Sequence, residues 1–296
     1  MRKTHWLVVA GLCALGAQAE DEQAFGRRVR AASIELVQAL DPAMAKTCLQ
    51  PADPAARRKM QYTGGVREGV PIGQLPAAAR AQVHQLIRSI LSERGWQQAQ
   101  AVADQDGRGG LDRYYVAFFG DPRQGDFALR VAEHHLTLIH LELADGEVAE
   151  FGPILLGSDP PVLWQEEEQD LLALWQALGA AGPGLLRTGR APASEPADLR
   201  SGPAAKVSDL SPAARAALEQ VWSRRLGLFS EPVQARIRRL VDARGGLSAL
   251  RLAYFNEAAT RRCTEGGRWD WKLAGEGLLL DFETSRKHIH MSLWIR

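Results

Sequence analysis

The chain has 296 residues, of which 46% are hydrophobic and 24% charged, enough apolar material for one large core or two smaller ones. That mix excludes general disorder, and 36 basic against 35 acidic residues exclude nucleic-acid binding as the main function, since no basic excess exists to neutralise phosphates. Beyond the N-terminus no apolar run approaches the ~18 residues of a membrane-spanning helix.

The first residues carry Arg2 and Lys3, then an apolar run from Leu7 to Ala17, then Ala17-Gln18-Ala19 followed by Glu20 and Asp21. A cationic head, an apolar stretch and small residues at the two positions a signal peptidase reads form an export signal over 1–19, so a periplasmic or secreted location is expected. Cleavage after Ala19 takes Arg2 and Lys3 from the 36 basic residues, leaving 34 against 35. It also removes Cys13 and leaves Cys48 and Cys263, an even count that permits one Cys48–Cys263 disulfide in an oxidising compartment.

Residues 20–69 read as an N-terminal helix, Phe25 to Leu40, and an irregular segment with Pro51, Pro54 and Gly64-Gly65. A second helix is predicted from about Pro76 to Arg94 and a third from about Val162 to Leu178, where Glu166-Glu167-Glu168 read as a solvated first turn favoured by the helix dipole. Residues 182–205, with four prolines, read as a linker between a unit at 70–181 and one at 206–296.

The two units resemble each other. Leu75 to Leu91 and Leu210 to Leu226 share seven of seventeen positions without a gap, and Gly-Gly-Leu recurs about 135 residues apart, at Gly109 and Gly245. Each triplet precedes strand-like runs, Tyr114–Phe119 and Phe127–Leu143 in the first unit, Leu250–Phe255 and Trp269–Phe282 in the second. The expected fold is α+β: two diverged repeats, each a helix followed by antiparallel strands, with approximate two-fold symmetry.

Five of the six histidines beyond residue 19 lie in two strand-like runs, Glu133–His140 and His288–Ile295. Alternate residues of a strand share a face, so His288 and His290 point the same way, a common presentation of metal ligands. A four-residue loop, Thr284 to Lys287, would pair Phe282 with Ile289 and Leu280 with Met291 on the apolar face, and Glu283 with His288 and Asp281 with His290 on the polar one. Mapping the second unit on the first puts His135 on the equivalent polar face, with His134 and His140 opposite, and ranks His135 above His134 as a partner. The candidate ligands are therefore His134, His135, His288 and His290, with Asp281 and Glu283 as the base or as orienting carboxylates. Such a set fits one divalent transition metal, zinc, copper or iron; without metal, a His–carboxylate pair is a general acid/base unit. No G-x-S-x-G elbow, P-loop or dinucleotide fingerprint is present.

Leu75-Pro76 with Arg80 ahead of a helix, His134-His135, Gly152 to Gly157 with Pro160, and His288-Ile289-His290 together resemble a bacterial family catalogued as domain of unknown function 3500. The resemblance runs from about Val70 to the C-terminus and groups these histidines without implying an activity. The chain departs from that family at Glu133, where glycine is expected, and at Arg296, beyond which members usually continue and a further ligand would lie. Two functions follow as expectations: an exported, metal-assisted enzyme acting on a small substrate, or a non-catalytic periplasmic ligand-binding or accessory protein.

Overall fold

The computed structural model describes residues 6–296 except 147, 190, 193–198 and 286–287, with residues 6–21 and Ser285 described by their backbone alone. The first five residues of the expected export signal thus lie outside the described part; the rest of it continues into one helix, α1 (Trp6–Gln38). No helix among the described residues is long and apolar enough to cross a membrane.

After α1 come α2 (Pro42–Cys48), β1 (Leu49–Gln50), α3 (Pro54–Arg57) and β2 (Val70–Pro71). The first unit continues through α4 (Ala77–Ile90), α5 (Glu93–Asp106), β3 (Tyr115–Phe119), β4 (Phe127–Ala132), β5 (Leu136–Glu142), β6 (Phe151–Ser158) and α6 (Gln165–Leu178). Then follow β7 (Leu186–Arg187), β8 (Ala205–Lys206), α7 (Pro212–Leu226), α8 (Glu231–Asp242), β9 (Arg251–Phe255), β10 (Asp270–Gly275), β11 (Leu278–Ser285) and β12 (His288–Ile295). The fold is α+β as expected.

The helix expected from Pro76 to Arg94 is two. Leu91 turns extended and Ser92 caps α5, its hydroxyl accepting from the Gly95 N–H, while Gly95 lets the corner approach the Leu228 carbonyl. α5 ends at Gly107, whose φ of 141° suits glycine. Glu166 is exposed as the first-turn reading requires, but Glu167 and Glu168 are buried. Glu167 pairs with Arg94, and Glu168 accepts from the Cys263 N–H at 2.6 Å, because the first turn of α6 packs inward instead of facing water.

One mixed sheet runs β1-β3-β4-β5-β6-β12-β11-β10-β9-β7, with β2 beside β3 and β8 beside β9. All pairings are antiparallel except β1–β3 and β7–β9, which are parallel. β6 and β12 pair at its centre, so the two units share one sheet. The segment expected as a linker contributes β7 and β8, and Leu199 within it is buried against Phe255 and Trp294.

Alternation gives the sheet two unlike faces. One face, with Leu136, Leu138, Ile154, Leu156, Leu280, Phe282, Met291 and Leu293, packs with the helices into the main core. The other carries a small apolar cluster at each end, around Phe119 and Ile139 and around Phe255 and Trp294, with polar residues between. Residues 51–69 strap across this second face: Ala56 packs on the first cluster and Met60 on the second. Arg57 and Arg58 bind Glu150, and Glu68 binds Arg130.

The expected disulfide is not formed. Cys48 and Cys263 are both buried thiols, Cys48 against the Val116 carbonyl on β3 and Cys263 against the His288 carbonyl on β12. Those strands are four steps apart in the sheet, roughly 19 Å at the usual interstrand spacing and far beyond disulfide reach.

Candidate metal centre

The polar face is built by the strands at the middle of the sheet. β11 and β12 pair Glu283 with His290, Thr284 with Ile289 and Ser285 with His288, two residues out of the expected register. The hairpin is therefore tighter than a four-residue loop, but a slip of two keeps every side chain on its expected face. β12 then lays His290 beside Gly157 of β6, and the bend before β5 brings His134 and His135 over the same spot. Gly157 makes this approach possible: a Cβ there would stand 2.5 Å from His135 Cδ2 and 2.9 Å from His290 Cδ2.

One ring nitrogen from each of His134, His135, His288 and His290 lies within 4.8 Å of the others. Nε2 of His288 is 2.8 Å from Nε2 of His135 and 3.0 Å from Nε2 of His290. His134 stacks on His135, ring centroids 3.8 Å apart, and the Tyr62 ring of the strap stands edge-on to His290 at 5.2 Å. His134 joins the group although the mapping placed it on the other face, because the chain at 133–135 is a bend and alternation does not govern it. His140 lies on the opposite face, buried against Phe25 and bonded to Glu142 at 2.6 Å.

Two aspartates that the sequence reading passed over orient the rings. Asp106, at the end of α5, binds Nδ1 of His135 and accepts from the Tyr114 hydroxyl at 2.6 Å. Burial raises its pKa, but the hydrogen bonds from His135 and Tyr114 outweigh burial and hold the carboxyl below its ordinary value. Asp159 approaches Nδ1 of His288 at 3.3 Å, and its own N–H is held by Gln105 at 3.1 Å. Asp159 lies two residues beyond the Gly152–Gly157 stretch and just before Pro160, a position that proximity to the motif could have flagged; nothing in the local pattern marks Asp106.

The hydrogen-bond partners assign the tautomers: with Nδ1–H of His135 and of His288 directed at carboxylates, Nε2 of each is a lone pair. The pKa shifts agree. Burial first, then the neighbouring imidazoles, push His290 down to about 3, and burial followed by His135 lowers both His134 and His288. Each of these three shifts favours the uncharged ring, a donor of an electron pair. The group opens to solvent on the side of Asp159, which is exposed.

Asp281 and Glu283 sit on the same face one strand away and engage a buried lysine. Lys272 Nζ donates to Asp281 at 3.1 Å and to Glu283 at 2.9 Å, and Ser292 donates its N–H and hydroxyl to the other Asp281 oxygen at 2.6 and 2.7 Å. Arg225 reaches through from the helix side to the carbonyls of Asp281 and Ser292. Asp270 completes this group, its side chain bonded to Asn256 and to the Thr284 N–H. Glu283 keeps 26% of its side chain exposed, whereas Asp281 keeps 1%.

Residues 22–294 match the profile described as a protein of unknown function, DUF3500, and the chain belongs to that family. It matches no curated protein and no solved structure.

Proposed function

We propose that this is an exported enzyme that holds a transition-metal ion on His134, His135, His288 and His290 and acts on a small substrate. The observation that carries the reading is the convergence of the Nε2 atoms of His135, His288 and His290 at 2.8–3.0 Å, with an aspartate on the far nitrogen of His135 and of His288. Two lone pairs at that distance repel unless a proton or a metal ion lies between them, and a carboxylate behind the imidazole is the usual support of a ligating histidine. Four nitrogen donors fit zinc, copper or iron better than an ion that prefers oxygen. Such an ion supplies polarisation of a carbonyl or a water acidified to near neutrality. Glu283, partly exposed and paired across strands with His290, is the carboxylate placed to exchange a proton with substrate, while Asp281 orients Lys272.

Export follows from the N-terminal pattern, and Glu22, just past Ala19, is tied to Arg236 and Arg239, which would anchor the mature end. The two halves are read as diverged copies; the strand order on either side of β6–β12 and the reciprocal bonds Ser92 N–H to Leu228 and Ser230 N–H to Ile90 support this.

The test is elemental analysis of residues 20–296 purified without chelator. Stoichiometric zinc, copper or iron is expected, lost in His288→Ala and in His290→Ala while the melting temperature holds. Full occupancy in both variants would sink the reading.

A further inference from the structure

Beside the histidine group the strap buries an arginine that makes no ion pair among the described residues. Arg67 is 7% exposed, and its hydrogen bonds among the described residues go to backbone carbonyls: Gly65 at 3.1 Å, Val66 at 3.4 Å, and Thr63. Its Nε–H has no partner. The nearby carboxylates are otherwise engaged: Glu133 accepts from the N–H groups of Gly65, at 3.0 Å, and of His134, and Glu68 binds Arg130. A guanidinium has five N–H donors in a flat fork, so three carbonyl bonds leave Nε–H and one Nη–H to receive a planar or tetrahedral oxyanion.

The loop that carries Arg67 is latched to the metal-centre backbone itself, since Glu133 bridges the Gly65 N–H and the His134 N–H. A buried guanidinium with no ion pair and with N–H donors left over is an incomplete hydrogen-bonding arrangement that an oxyanion completes.

We propose that Arg67 is the oxyanion-recognition residue of this site, so that the small substrate carries a carboxylate or phosphate group gripped by the strap while its reacting end faces the histidines. This rests on the reading of the histidines as the reaction centre, but the anion grip itself does not need the metal. It also gives the strap a function beyond covering the sheet: it carries specificity, and the histidines carry chemistry.

The experiment is calorimetric titration with inorganic phosphate and, separately, with acetate at constant ionic strength. It is run on metal-loaded and chelator-stripped protein, with metal content measured on every sample. Wild type is expected to bind at least one of the two anions. Arg67→Gln should weaken that binding tenfold or more, and Arg67→Lys, which keeps the charge and loses the fork, several-fold, with metal content unchanged in both. Binding in wild type that Arg67→Gln leaves within twofold, or no binding of either anion, overturns the proposal. Should Arg67→Gln not fold, Arg67→Lys decides by the same comparison, an unchanged affinity counting against the proposal. An Arg67-dependent affinity in protein that takes up no metal would keep the grip and discard the metal centre, so the two failures are distinguishable.

Discussion

Two groups of ionisable residues share the polar face of one sheet, and they are built on opposite principles. Around Lys272, opposite charges meet at hydrogen-bond distance: Asp281 and Glu283 on the ammonium, and Ser292 on the remaining oxygen of Asp281. Around His288 the four rings are alike and none can neutralise another; burial first, and then the neighbouring rings, disfavour a proton on His288 and on His290. The first group holds its cation between carboxylates of the chain, and its charged side chains are buried except for Glu283. The second holds only like groups, and it opens to solvent on the side of Asp159. A buried paired charge is tolerable and a buried group of like rings is not, so the lysine network holds the strands while the histidine group is the candidate site, with Glu283 at the border between them.

Lys272→Met should break the first group most severely. It strands Asp281, Glu283 and Asp270 in a buried setting without their cation, and about 3–5 kcal/mol of stability should go. A shift of the urea midpoint amounting to less than about 1 kcal/mol would show that the network is not what holds these strands.

Gly157→Ala attacks the second group through sterics alone. The added methyl meets the rings of His135 and His290, as well as the Ile289 carbonyl at 3.0 Å. Metal uptake should be lost, at a stability cost of about 1–3 kcal/mol. Normal metal uptake by this variant would mean that the rings need not pass over β6.

Asp106→Asn keeps the shape and removes the carboxylate behind His135. Metal affinity should fall roughly 10- to 100-fold with little change in melting temperature. Competition against a chromophoric chelator reads this directly, and an unchanged affinity would leave Asp106 as a helix-end residue only.

The smallest effect expected is a pH dependence belonging to the lysine group. Burial, then the charges of Glu283 and Asp281, push Asp270 up to about 7, against the opposing pull of the Thr284 N–H and Lys272. Because the folded pKa is the higher one, the native state holds the extra proton. The resulting stabilisation is complete below about pH 4, the ordinary carboxylate value, and is lost as pH rises through 7. Between pH 5 and pH 8 the wild type should lose about 2 kcal/mol more than Asp270→Asn, measured by urea unfolding at each pH. Parallel curves would remove Asp270 from the network.

Much of this was legible in the sequence, and the misses have physical causes. His-x-His on an alternating run announced a polar strand face, and the apolar residues flanking it announced the other. The register was out by two because Thr284 and Ser285 extend β11 instead of forming a loop; only an odd slip would have moved the histidines to the core. The three glutamates opening α6 read as solvated because a helix dipole rewards acid there, yet Glu167 finds Arg94 and Glu168 the Cys263 N–H. The two cysteines read as a bridge from parity alone, and parity carries no distance.

The residues by themselves determined what depends on neighbours two to four positions away: helices by their periodicity, strand faces by alternation, and the grouping of His288 with His290. What tertiary structure decided depends on partners far along the chain. It placed His134 and His135 over β12 by pairing β6 with β12, brought Asp106 from the end of α5 to His135, and drew residues 51–69 across the face to set Arg67 and Tyr62 beside the rings. Local pattern records which way a side chain points, because that follows from backbone geometry. Which side chain it meets follows from the order in which strands pack, and the histidine group exists only at that second level.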